Sequence, residues 1–371
     1  MNSRERLKAI LTGQIPDRVP ISTYELCGYN SQAFENNDPS YAKLMESIRK
    51  KTDCICMWNP GSNATLLESS YPVKTEVEQK KEGDFTVTHT VFHTPRGNIK
   101  QTTKVMDNVH TTWQTEHLCK NTEDVDKVLS VPYEPVCYDA SDFARIKKEV
   151  GKNGIIMASL SDPLCAAAPL MEFGAYTVWA MTETEHFAKT ILVIRERMKE
   201  NLKRMLESNV SDLYRICGPE YATPPYLPPR FFQRFVVPYV AEMVDLIHQK
   251  RAKARLHCHG RIRKVLDMIL DTGADGIDPC EAPPDGDITL AEIKERTGSR
   301  ICLFGNLQLK LLEQGTGKEV ETAVKECMSA AKEGGGYVIM PTAAPINSPL
   351  AEKTGKNYLR FIDTALEYGK Y

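Results

Sequence analysis

Three side chains able to bind a metal stand side by side at His257, Cys258 and His259, directly before Gly260. Residues 253–258 are apolar enough to form a buried strand, and Ile262, Val265, Leu266 and Ile269 recur at helical spacing just beyond. The run therefore sits where a strand ends and a helix begins. Side chains alternate across a strand, so His257 and His259 point one way and Cys258 the other if the extended conformation persists that far. Zinc takes imidazole nitrogen at roughly 2.0 Å and thiolate sulfur at roughly 2.3 Å, and a catalytic zinc needs three protein ligands with one position open. Two ligands from this strand leave a third to be found. The plain alternative is a pair of hydrogen-bonded imidazoles, so the surroundings have to decide.

Those surroundings show a rhythm. Short β-rich runs at 19–23, 54–58, 155–160, 212–217, 254–258, 276–278, 301–304 and 337–340 alternate with helical stretches, including 184–207, 231–250 and 318–333. Repeated strand–helix units predict an α/β fold, and eight of them suit a closed (β/α)8 TIM barrel formed by one domain over residues 1–371. The rhythm breaks once. Residues 85–93 and 98–105 alternate around Thr94-Pro95-Arg96-Gly97, which predicts a β-hairpin insertion at 84–106 between strands two and three.

In such a barrel the chemistry belongs at the C-terminal ends of the strands. Strand one ends at Tyr24 and Glu25, strand three at Ser161 and Asp162, and strand four at Cys217, Glu220 and Tyr221. Strand five ends in the His-Cys-His run, strand six at Asp278, Cys280 and Glu281, and strand seven at Gly305 and Asn306. Neighbouring strands are roughly 4.8 Å apart, so Glu220 from strand four and Cys280 or Glu281 from strand six can reach a metal held by His257 and His259. The third ligand stays open among these three, as does an exchange of Cys258 for His259. Glu281 and Tyr221 are candidates to carry a proton. Tyr24, Asp162 and Asn306 face the mouth as candidate substrate contacts. Against these readings, Glu220 can be a solvated or helix-capping carboxylate, Asp162 can cap the next helix, and Cys280 can be a buried, inert thiol. His89, His93, His186 and His248 read as surface or packing residues.

The chain has 371 residues, with 47 basic and 49 acidic side chains well mixed and a net charge of −2. It shows no electrostatic footprint for nucleic acid or an anionic membrane. No apolar run approaches the roughly 18 residues of a membrane span, and the first residues carry no hydrophobic signal core, so a cytoplasmic location is expected. Eleven scattered cysteines without a Cys-x-x-Cys pair are expected to be reduced, with Cys54, Cys56 and Cys302 packed as small core residues.

The sequence resembles the uroporphyrinogen decarboxylase superfamily, and within it the corrinoid-linked zinc methyltransferases. The carriers are NSRERLKAI at 2–10, PDRVP at 16–20, LPPRFF at 227–232 with Pro238-Tyr239, HCHG at 257–260, DTGADG at 271–276 and LFGN at 303–306. The resemblance runs nearly end to end and implies a (β/α)8 barrel, in agreement with the strand count. Decarboxylases of the superfamily hold tetrapyrrole carboxylates with an N-terminal Arg-Gln-Ala-Gly-Arg type stretch. Here the matching YELCGY at 24–29 has no arginine, which disfavours porphyrinogen decarboxylation. The methyltransferases bind zinc through His-x-Cys at strand five and a further cysteine near strand eight. His257 matches the first ligand and His259 stands at the second, whereas Pro341-Thr342-Ala343-Ala344-Pro345 offers no cysteine. Loss of thiolates makes the site harder and suits an oxygen-linked methyl donor. The resemblance thus implies Zn2+ as cofactor, a corrinoid carried by a separate protein because this chain lacks an Asp-x-His-x-x-Gly motif, and a small methyl donor or acceptor, with a homodimer left open. A methylcobamide:thiol methyltransferase and a metal-free decarboxylase are the alternatives.

Overall fold

Short apolar runs bounded by turn residues pair best where both faces are covered, and the parallel sheet here meets that condition. The computed structural model describes residues 1–208 and 211–371. Seven parallel strands follow one another around a curled sheet in chain order: strand two (Cys54–Met57), three (Gly154–Ser161), four (Leu213–Cys217), five (Lys253–His257), six (Gly276–Asp278), seven (Cys302–Leu307) and eight (Tyr337–Pro341). Residues 19–23 run extended between strands eight and two and close the ring. Ile21 bridges Ile339, the Ser22 N–H donates to the Ile339 carbonyl, and the Asp53 N–H donates to the Ile21 carbonyl. Strand one amounts to a single bridge because Pro20 has no N–H to give and Tyr24 turns to φ 59°. Each of the eight expected runs lies in this TIM-barrel-like ring.

Period-two alternation sorts the strand residues into an inner and an outer layer. Ile55, Ile155, Met157, Leu213, Phe304, Val338 and Met340 meet inside the barrel, and Leu7, Ile10 and Leu11 of the first helix (Ser3–Leu11) join them as a plug. That helix starts at Asn2, which forms a capping box with Glu5. Outward residues such as Ala158, Ile216, Leu256 and Ile277 pack on the surrounding helices. The expected 231–250 helix is two, Pro229–Phe235 and Val237–Gln249, broken where Pro238 removes an N–H.

Between strands two and three, Phe85–Thr94 and Gly97–Met106 pair antiparallel within a four-stranded sheet. Lys74–Glu82 and Trp113–Glu116 form its edges. No helix among the described residues is long and apolar enough to cross a membrane.

Candidate metal centre at the barrel mouth

Strand four sends Arg215 and Cys217 inward, and strand five sends Arg255 and His257 inward beside them in parallel register. Past strand four, Gly218 takes φ 127° and starts the short 3-10 turn Pro219–Ala222 that carries Glu220. A Cβ on residue 218 would lie 1.9 Å from Asp162 Oδ1, so only glycine lets the loop pass over Asp162. The Gly218 N–H donates to Glu220 Oε2 at 3.1 Å and sets that carboxylate toward strand five.

One ligand atom each from Glu220, His257 and His259 lies within 4.8 Å of the other two. Tetrahedral zinc with bonds of about 2.0 Å puts its ligands roughly 3.3 Å apart, so closing on an ion asks for a modest side-chain shift. His259 can supply it, its side chain being 49 % exposed and its ring centroid 5.4 Å from that of His257.

His257 is held from below. Its Nδ1 lies 2.9 Å from Asp278 Oδ2 and 2.9 Å from an Arg215 guanidinium nitrogen. Nδ1 cannot donate to the carboxylate and accept from the guanidinium at once. A bare Nδ1 would set a lone pair against an anionic oxygen, whereas Arg215 has Tyr24, Glu25 and Asp278 as further partners. The proton therefore belongs on Nδ1, leaving the Nε2 lone pair for a ligand. Carboxylate–histidine pairs of this kind orient metal-binding imidazoles.

Asp278 is fully buried. Burial would push its carboxyl up, but the Arg255 and Arg215 guanidiniums and His257 hold it well below the usual carboxylate range. Arg255 Nε is 2.9 Å from Asp278 Oδ1, a charge contact in which the N–H is not aimed at the oxygen, and its guanidinium lies over the Phe304 ring. This Arg215–Arg255–Asp278 layer escaped the reading from sequence. Its signal was present: arginines two residues before Cys217 and His257, in runs otherwise apolar.

The other expected residues fall at graded distances from the cluster. Glu281 Oε2 accepts the Gly260 N–H at 2.7 Å and lies 3.8 Å from His259 Nδ1. The Tyr221 ring packs against Phe173 and Tyr176, and burial pushes its hydroxyl up to about 12. The Tyr24 hydroxyl oxygen accepts a hydrogen bond from the Arg215 guanidinium, which also lies over the Tyr24 ring face. Asp162 is buried and caps the helix Pro163–Ala167 through Cys165 N–H at 2.8 Å, while its Oδ2 has no partner among the described residues. Burial pushes its carboxyl well up, and the Glu220 charge adds to that. Cys280 lies outside the cluster, fully buried with its thiol on the Ile277 carbonyl. Asn306 is also apart: its amide donates to the Cys280 carbonyl and accepts from the Cys327 thiol. Cys258 is buried on the opposite face from His257, as alternation requires. His89, His186 and His248 pair with Thr102, Asp126 and Asp275 away from the site.

A curled parallel sheet with polar groups gathered at the C-terminal strand ends defines a TIM-barrel-like protein. Within that class the chain belongs to the uroporphyrinogen decarboxylase family, whose model, described as Uroporphyrinogen decarboxylase (URO-D), matches residues 107–350. A solved methyltransferase from Methanosarcina mazei shares the fold over 99 % of both chains at TM-score 0.63 and 16 % identity. A structure of the pneumococcal virulence factor STRH (TM-score 0.42, 8 % identity, 98 % of this chain and 85 % of that one) and one of D-psicose 3-epimerase with D-fructose (0.32, 11 %, 68 % and 94 %) overlap too weakly to inform the fold. No curated protein matches the chain.

Proposed function

We propose that this protein is a zinc-dependent methyltransferase that moves a methyl group between a small, O-linked substrate and a corrinoid carried by a separate protein. The observation that carries this reading is the Glu220, His257 and His259 cluster with Asp278 behind His257. Two nitrogens and one carboxylate form a harder donor set than one with thiolates, and a strand-eight end without cysteine agrees with it. When bound, the metal supplies a Lewis acid for a substrate oxygen, and the partner's corrinoid supplies the other seat for the methyl group.

The chain's own residues do the rest. Asp278 fixes the His257 tautomer and ring plane. Glu220 is aimed by the Gly218 N–H, and Glu281, anchored on the Gly260 N–H beside His259, stands ready to take or give a proton at the substrate oxygen. Tyr221, with its hydroxyl kept protonated by burial, can donate a hydrogen bond into the same space.

The metal content of purified protein tests the ligand set. Wild type should hold about one zinc per chain, and His257→Ala and Glu220→Ala should each lose it. Unchanged zinc in both variants sinks the assignment. A second reading, a metal-free decarboxylase, is favoured by the buried Arg215 and Arg255 guanidiniums in a barrel of this family. Wild type devoid of zinc would support it.

A further inference from the structure

A second cluster of reactive groups lies on the other side of the barrel wall. Strand two turns Ile55 and Met57 inward, which leaves Cys54 and Cys56 on its outer face among Ile146, Val150, Ile156 and Trp58. Cys27, on the loop that leaves Tyr24 and Glu25, drops its side chain onto that face. Its Sγ lies 2.9 Å from Cys54 Sγ, while the Cys56 thiol lies 3.9 Å from the Met57 carbonyl. A disulfide bond is about 2.05 Å long, so closure asks the two sulfurs to approach by about 0.9 Å. We propose that Cys27 and Cys54 are a redox-active dithiol that closes to a disulfide by exchange with a small-molecule disulfide.

Hydrogen bonds from Cys54 and then Cys56 hold the Cys27 thiol below its ordinary value, and the same contact together with burial pushes the other two up. Those contacts favour the thiolate on Cys27 over the other two, and Cys27 also sits next to Gly28 and Tyr29, which line a cleft, so we assign it as the attacking sulfur. That cleft, of about 410 Å³ and lined also by Asn36 and Arg49, lies beside its loop; Cys27 itself is buried, so exchange asks the loop at Gly28 and Tyr29 to shift and bring the sulfur to the cleft. The Cys27 thiolate attacks one sulfur of the small disulfide, forming a mixed disulfide and releasing one thiolate. Cys54 passes its proton to that thiolate, attacks the Cys27 sulfur and expels the second. Two protein thiols are oxidised to one disulfide, and one small disulfide is reduced to two thiols.

The test uses the full chain, folded, equilibrated with mixtures of glutathione and its disulfide, then acid-quenched, alkylated and mapped by mass spectrometry. Free thiols should fall from eleven to nine, with the Cys27 peptide joined to the peptide bearing Cys54 and Cys56. The link should persist in Cys56→Ser and vanish in Cys54→Ser. Eleven free thiols at every ratio overturn the proposal, as does oxidation confined to a mixed disulfide on the exposed Cys137. A link that survives Cys54→Ser but not Cys56→Ser overturns the pairing.

Discussion

Asp278 shows how one side chain serves two purposes. It fixes His257 and it is the buried counter-charge shared by Arg215 and Arg255, with Glu25 a further partner for Arg215 alone. Asp278→Asn should weaken zinc binding by about 10- to 100-fold, read by chelator competition, because the imidazole loses its anionic partner. The acid limb follows from the depressed carboxyl. A group lowered on folding adds stability that is full above its unfolded value of about 3.9 and is lost as pH falls through the folded one. Wild type should therefore lose stability on acidification below about pH 4, and the variant should start less stable and lose less, as followed by denaturant melts across pH. The two histidines and Glu220 were legible in the sequence because spacing and strand order are enough to bring them together. The arginine layer was not, since a charge inside an apolar run reads as a break in the pattern until the partner on strand six is known. Cys280 was legible as a strand-end thiol, yet the backbone at φ 56° and the contact with the Ile277 carbonyl turn it away from the cluster.

The elements that matter most for the site are loops whose shape depends on one residue. Gly218 is the clearest case, since a side chain there meets both Asp162 Oδ1 and, at 2.7 Å, Cys165 Cβ. Gly218→Ala should leave the ligand atoms in the chain but lower zinc affinity by about tenfold or more, by displacing Glu220. Retention of wild-type affinity, measured by the same chelator competition, would show that the loop does not set the carboxylate. The eight barrel runs were readable because strands covered on both faces are continuously apolar. Lys74–Glu82 was not readable: all nine residues are exposed, so no alternation marks the strand, and its pairing with Phe85–Thr94 is settled by the hairpin it belongs to.

Across the whole molecule, barrel closure depends on a buried carboxylate. Asp53, directly before strand two, accepts the Ile21 N–H at 2.9 Å and pairs with Arg6 at 2.5 Å and Arg18 at 2.8 Å. It ties the plug helix and the closing segment to one point. Asp53→Ala should destabilise the protein by about 3–5 kcal/mol, because Arg18 loses its carboxylate partner and Arg6 keeps only the half-exposed Asp17. Thermal and urea unfolding would reveal a smaller effect if closure rested on the strand-eight bridge alone. The β-sheet outside the barrel carries a different consequence. Lys74–Glu82 pairs on one side only and leaves a row of backbone N–H and C=O groups bare on the other, the template along which chains stack into fibrils. Its sequence, KTEVEQKKE, spends six of nine positions on lysine and glutamate. A second chain laid along that edge would have to strip water from this charge row, which works against stacking along the ribbon.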